Sequence, residues 1–190
     1  LEYIMKKTIK QKTVITLASL GLACSSVVVF ANTTKATKST GSTTQSSLTV
    51  EQAKEKALNE SKSGQVIGYE QENKSRKTVF EITILDGQNE KEYKIDGQTG
   101  DVLKSKTKDL TKDKDDKQLI NASYKIDLAG AESQVKSKYP KATIEKLQLD
   151  VENNTLVYDV SLTEGKKEID LELDANTGQI VEEEIETDKD

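Results

Sequence analysis

Shifted against itself by 78 positions, the sequence aligns Ala53 with Ala131, Val79-Phe80-Glu81-Ile82 with Val157-Tyr158-Asp159-Val160, Gly87 with Gly165, and Asp96, Thr99 and Gly100 with Asp174, Thr177 and Gly178. No gap is needed. Apolar positions coincide where identities do not: Leu48 with Ile126, Val50 with Leu128, Val66 with Ile144, and Ile95 with Leu173. An ungapped repeat of this kind means that one supersecondary unit is used twice, so the fold must be one that a unit of about 60 residues can build.

Within each copy the pattern changes from helical to extended. Val50, Ala53, Ala57 and Leu58 recur at helical spacing in the first copy, as do Leu128, Ala131 and Val135 in the second. Thr49 and Asp127 are placed to cap the two helices, Gly64 to close the first, and Pro140 to stop the second. Alternation follows. Phe80, Ile82 and Ile84 share one side of a strand over Thr78 to Leu85, and Tyr158, Val160 and Leu162 share one side of a strand over Leu156 to Thr163. Tyr93 and Ile95, and Ile169, Leu171 and Leu173, mark the next strand, joined to the first by turns at 86–89 and 163–166. An earlier strand is expected from Val66 to Glu72 and from Ile144 to Val151. The fold class is therefore α+β: two tandem repeats, each one helix packed on its own three- to four-stranded antiparallel sheet, the other sheet face polar. Units this small lie near the lower limit for folding alone without disulfides, which predicts modest stability or mutual support between the copies.

Outside the repeats the composition changes. Met5 to Lys12 is basic and Val14 to Ala31 is almost wholly apolar or small, the order of an export signal. Cleavage after Ala31, lipidation at Cys24 within Leu22-Ala23-Cys24, and retention as an uncut anchor all fit residues 1–31. Each places the rest of the chain outside the cytoplasm, secreted or at the cell surface. Residues 32–47 are mostly Thr, Ser and Lys and read as a disordered tether. The repeats then occupy 48–106 and 126–186, separated by a charged, solvated linker at 107–125 and followed by an acidic tail at 187–190.

The inventory of reactive side chains is short. There is no His, and Cys24 is the single Cys, which excludes a His-based triad, a zinc site of Cys and His, and a disulfide. Ser133-Gln134-Val135-Lys136 has the Ser-x-x-Lys spacing of penicillin-recognising acyl enzymes, but it lacks their Ser-Asp-Asn and Lys-Thr-Gly partners and sits on an amphipathic helix, so it reads as coincidence. Glu182-Glu183-Glu184 reads as solvated tail. No catalytic, cofactor-binding or metal-binding residue is expected. Residues 126–190 hold 17 acidic side chains against 7 basic ones. That charge repels phosphate backbones, so nucleic acid is a poor partner and a basic protein surface or a cation a better one.

Asp96-Gly97-Gln98-Thr99-Gly100 followed by Val102 and Leu103 recurs as Asp174-Ala175-Asn176-Thr177-Gly178 followed by Ile180 and Val181. This is turn chemistry: Asp accepts from amides two and three residues on, Thr supports the loop, and Gly supplies a left-handed residue before a strand resumes. A calcium loop is the rival explanation, but the acidic ladder and terminal Glu of an EF-hand are missing. A helix with Ala-x-x-x-Ala, a Val-Phe-Glu-Ile or Val-Tyr-Asp-Val strand, and this Asp-x-x-Thr-Gly turn together resemble the PepSY domain, over Leu48 to Lys106 and again over Ile126 to Ile185. The second copy departs in having Val135 in place of the second Ala, and Pro140 shortens its helix. The resemblance implies an architecture similar to the repeats of β-lactamase inhibitory protein and a setting in metallopeptidase propeptides or exported bacterial proteins that restrain peptidases. It brings no catalytic residues.

The function this implies is that of a non-enzymatic exported binding module, inhibiting or modulating a peptidase or another envelope protein, with no cofactor. Membrane contact is expected only through the N-terminal segment. The candidate partner-binding face is Glu81, Thr83, Glu92 and Lys94 in the first copy and Asp159, Ser161, Asp170 and Glu172 in the second, the latter set anionic. The alternative is a cation-binding or structural envelope protein without a peptidase partner.

Overall fold

Short polar side chains open both helices. In the computed structural model, which describes residues 47–74, 77–120 and 122–187, Thr49 Oγ1 accepts from Gln52 N at 3.3 Å while Gln52 Oε1 accepts from Thr49 N at 2.9 Å, a reciprocal cap on α1 (Val50–Ser61). Asp127 Oδ1 accepts from Gly130 N at 2.8 Å at the start of α2 (Leu128–Lys138). The first helix closes at Lys62, in the left-handed region at φ 68°, two residues before Gly64; the second ends at Tyr139, ahead of Pro140. Their buried faces are small: Ala53 and Ala57 on α1, Ala131 and Val135 on α2. The expected leader with Cys24, the tether up to residue 46 and the last three residues of the acidic tail lie outside the described residues.

Helix α1 is followed by β1 (Gln65–Lys74), β2 (Lys77–Asp86), β3 (Asn89–Asp96) and β4 (Val102–Asp109). Helix α2 is followed by β5 (Thr143–Glu152), β6 (Thr155–Glu164), β7 (Lys167–Asp174) and β8 (Ile180–Thr187). The expectation of a separate sheet for each copy is corrected here, because all eight strands join one antiparallel sheet in the order β4-β3-β2-β1-β5-β6-β7-β8. The reason is the inner strand of each copy. Alone, β1 and β5 would each present an open edge of unpaired amides and carbonyls beside apolar side chains, and pairing them removes both edges. The seam is short: Gly68 faces Gln148, Tyr69 faces Leu147 and Glu70 faces Lys146. Tyr69 and Leu147 are equivalent positions of the 78-residue repeat, so a local two-fold axis passes between them. A Cβ on Gly68 would lie 2.8 Å from the Cβ of Gln148, so a glycine lets the strands approach here.

Both helices lie on one face. α1 packs on β1, β2 and β3, and α2 on β5 and β1. Between them Lys54 Nζ stands 3.6 Å from Glu132 Oε2, again at equivalent positions of the repeat, and 4.4 Å from the centre of the Tyr69 ring. Beneath the helices a single apolar cluster runs from Phe80, Ile82, Ile84 and Ile95 through Tyr69 and Leu147 to Val160, Leu171 and Leu173. Instead of one core per copy there is one core for both, the mutual support that units of this size require.

Two charged stretches are structured. The segment expected as solvated linker starts within β4, continues through 3-10 turns at Leu110–Lys112 and Asp116–Gln118, and buries Leu110 and Leu119 in the shared core. It is held across one end of the sheet by Leu110 N donating to Gln88 O at 2.9 Å and Gln118 Nε2 donating to Asn154 Oδ1 at 2.9 Å. Two leucines among many Lys and Asp are enough to dock it. Glu182-Glu183-Glu184 is likewise no tail; it lies within β8, paired to Glu172, Leu171 and Asp170 of β7.

Candidate functional site

Strand alternation decides what the second face carries. Since Phe80, Ile82, Ile84, Tyr158, Val160 and Leu162 are buried under the helices, the residues between them point the other way. This places Glu81, Thr83, Glu92, Lys94, Asp159, Ser161, Asp170 and Glu172 on the face that no helix covers. Register pairs them as Glu81 with Lys94, Thr83 with Glu92, Asp159 with Glu172 and Ser161 with Asp170. They form two patches, one in each half, separated by β1 and β5.

In the first half the charges neutralise one another. Lys94 Nζ is 2.5 Å from Glu81 Oε2 and 3.9 Å from Glu72, and Lys106 Nζ is 2.8 Å from Glu92 Oε2. Thr83 is buried and offers a partner no surface. The second half is different. Ser161 Oγ donates to Asp170 Oδ1 at 2.8 Å, and Lys146 Nζ reaches Asp159 Oδ2 at 2.5 Å. Burial works against the ammonium of Lys146, yet its pKa is raised, because Asp159, Glu70 and Asp150 surround it. Across the seam, Glu70 is held above the ordinary carboxyl range by burial, then by Glu72 and Glu81. The middle of the face is thus an ion-pair network, while Asp170, Glu172 and the strand beyond them carry the net negative charge.

Sequence reasoning did not place the outer strands on this face. Lys104, Lys106 and Lys108 alternate along β4, and Glu182, Glu184 and Glu186 occupy the equivalent positions along β8. The signal was present: a charge at every second residue, in both copies, at the repeat offset. It was obscured by reading lysines and glutamates in a row as solvated chain.

The two Asp-x-x-Thr-Gly turns lie off this face. Asp96 Oδ1 accepts from Gln98 N at 2.8 Å and Thr99 N at 3.0 Å; Asp174 Oδ1 accepts from Asn176 N at 2.9 Å and Thr177 N at 2.7 Å. Gly100 and Gly178 have φ of 76° and 72°. The residue after each Asp also holds the chain entering a helix, through Leu48 N to Gly97 O at 2.6 Å and Ile126 N to Ala175 O at 3.0 Å. A Cβ on Gly100 would run into the Lys56 side chain, and one on Gly178 would meet Gln134 at 2.5 Å, both side chains from the covering helix. The motif is a bracket between sheet and helix.

Ser133 is exposed, and Lys136 pairs with Glu132 at 2.5 Å, so Ser133 and Lys136 share no pocket. Among the described residues there is no group of three or more acidic or thiol side chains arranged to hold a metal ion, and no helix long and apolar enough to cross a membrane.

Comparison with known proteins identifies the scaffold. The PepSY family, described as peptidase propeptide and YPEB domain, matches residues 47–106 and again 125–184. No curated protein matches. Among solved structures, a protein given as a candidate lipoprotein of Clostridium difficile 630 is similar at 23% identity and a TM-score of 0.43, over 68% of this chain and 88% of that one. The YpeB C-terminal domain of Bacillus megaterium is similar at 17% identity and a TM-score of 0.36, over 74% of this chain and 66% of that one. With two successive matches that together span more than half of its length, the chain belongs to the PepSY family.

Proposed function

We propose that this chain is a non-catalytic binding module that works outside the cytoplasm and uses the open face of its sheet to engage a protein, a peptidase being the class of partner. One observation carries the proposal: both helices cover the same side of an eight-stranded sheet, and the other side of β2, β3, β6 and β7 is mostly polar, with Val79, Leu85 and Val157 the apolar exceptions. Side chains fixed on such a surface lose little freedom when they meet a partner, and their charge pattern selects which one. The anionic quarter around Asp159, Asp170 and Glu172 suits a basic patch. Membership of a family named for peptidase propeptides supports the choice of partner class, and the basic and apolar order of residues 5–31 supports export.

The test is a panel of purified peptidases, metallopeptidases included, assayed for inhibition and for complex formation with the purified chain. The expected result is a saturable complex with at least one of them, weakened about tenfold or more by Asp170→Asn with Glu172→Gln. Absence of both inhibition and complex across the panel would remove the peptidase from the proposal.

A further inference from the structure

The sheet has two outer strands, and they differ in a patterned way. Among the described residues β4 has a neighbour only in β3, and β8 only in β7, so each offers one open row of backbone groups. Five large apolar side chains are exposed, and four of them, Val102, Leu103, Val181 and Ile185, lie on these two strands, the last three more than half exposed. On the open face, β4 presents Lys104, Lys106 and Lys108, the second also paired with Glu92 and the third with Asp116, where β8 presents Glu182, Glu184 and Glu186. A Lys-bearing edge ordinarily keeps sheets from joining. Here the two edges have opposite signs, so the same charges that repel like edges attract unlike ones.

We infer that β4 of one copy pairs with β8 of a second copy and extends the sheet head to tail. Direction permits it. Eight strands alternate, so β8 runs opposite to β4, and a second copy placed beside the first meets it antiparallel with its helices on the same side. The register that sets Leu103 opposite Ile185 on the helix side sets Lys104 opposite Glu184 and Lys106 opposite Glu182 on the other. In this register Leu103 meets Ile185 and two of the three lysines meet glutamates, while Lys108 falls opposite Ile180 beyond the matched stretch. Pairing of β4 with β4 would set lysine against lysine, and β8 with β8 glutamate against glutamate, so a closed symmetric dimer is disfavoured. The interface is heterologous, and repeating it builds an open row of copies.

Sedimentation velocity on the full chain over a concentration series tests this. The expected result is a ladder of species growing with concentration, with association weakened about tenfold between roughly 0.05 and 0.5 M salt. Lys104→Glu with Lys106→Glu makes both edges acidic, and Glu182→Lys with Glu184→Lys makes both basic; each variant alone should be monomeric, and the two mixed should associate again as alternating copies. These positions are exposed, and unchanged circular dichroism and melting will show that the variants fold. In a Cys24→Ser background, a chain with Leu103→Cys and a chain with Ile185→Cys should form a disulfide-linked pair only when mixed. A parent chain monomeric up to its solubility limit, a single closed dimer, or association indifferent to charge reversal would each overturn the inference. A monomer would leave the open-face proposal untouched.

Discussion

Asp96 and Asp174 each hold a loop closed with one carboxylate oxygen, and the amides they engage, of Thr99 and Gln98 in one copy and Thr177 and Asn176 in the other, keep both groups below the ordinary carboxyl range. Burial does the opposite to Glu70, Glu90 and Glu145, which are held above it. The two sets act on stability with opposite signs. A raised carboxyl binds its proton more tightly in the folded state, so its protonation stabilises the fold as pH falls toward the ordinary value of 4.5. A lowered one contributes stability above its ordinary value of 3.8 that is lost as pH falls through the folded-state value. Melting temperature should therefore rise as pH is taken from 7 toward 4.5 and drop below 3.8, a profile that differential scanning calorimetry will show. Gly178→Ala should cost roughly 1–2 kcal/mol from the left-handed backbone alone, with more from Gln134, readable as a lower urea midpoint.

At the scale of elements, the two helices meet through Lys54 and Glu132, whose side chains are only 12% and 20% exposed. A double-mutant cycle of Lys54→Met and Glu132→Gln should return a coupling of about 0.5–1 kcal/mol, the upper part of the range for solvated pairs. Helices and the strands β2 and β6 were legible from the sequence because each carries one unbroken apolar period: Ala53 and Ala57 every fourth residue, Phe80, Ile82 and Ile84, and Tyr158, Val160 and Leu162, every second. The outer strands were not, since β4 and β8 are exposed on both faces and have no apolar stripe for periodicity to detect. Asn153 and Asn154, both at positive φ, form the turn between β5 and β6, and this pair was a hairpin signal in the sequence that passed unread.

For the whole molecule, sequence similarity between the copies showed that a unit was duplicated but not how the units meet. Three seam residues per strand leave no periodic trace, and Gly68 reads as a weak strand residue until Gln148 is seen against it. The candidate face was legible as alternation within each copy; its continuity across both copies, and the signs of its two flanks, required the seam. Since the halves share one sheet and one core, heat should unfold residues 47–187 in a single transition with equal calorimetric and van't Hoff enthalpies, whereas two separable peaks would mean that the seam is weaker than its burial implies.

The axis between Tyr69 and Leu147 has one more consequence. Two copies of the first half brought together the same way would set Lys54 against Lys54, and two copies of the second would set Glu132 against Glu132. Divergence after duplication has turned interchangeable twins into a committed couple, each shaped to recognise its sibling and to refuse its own reflection.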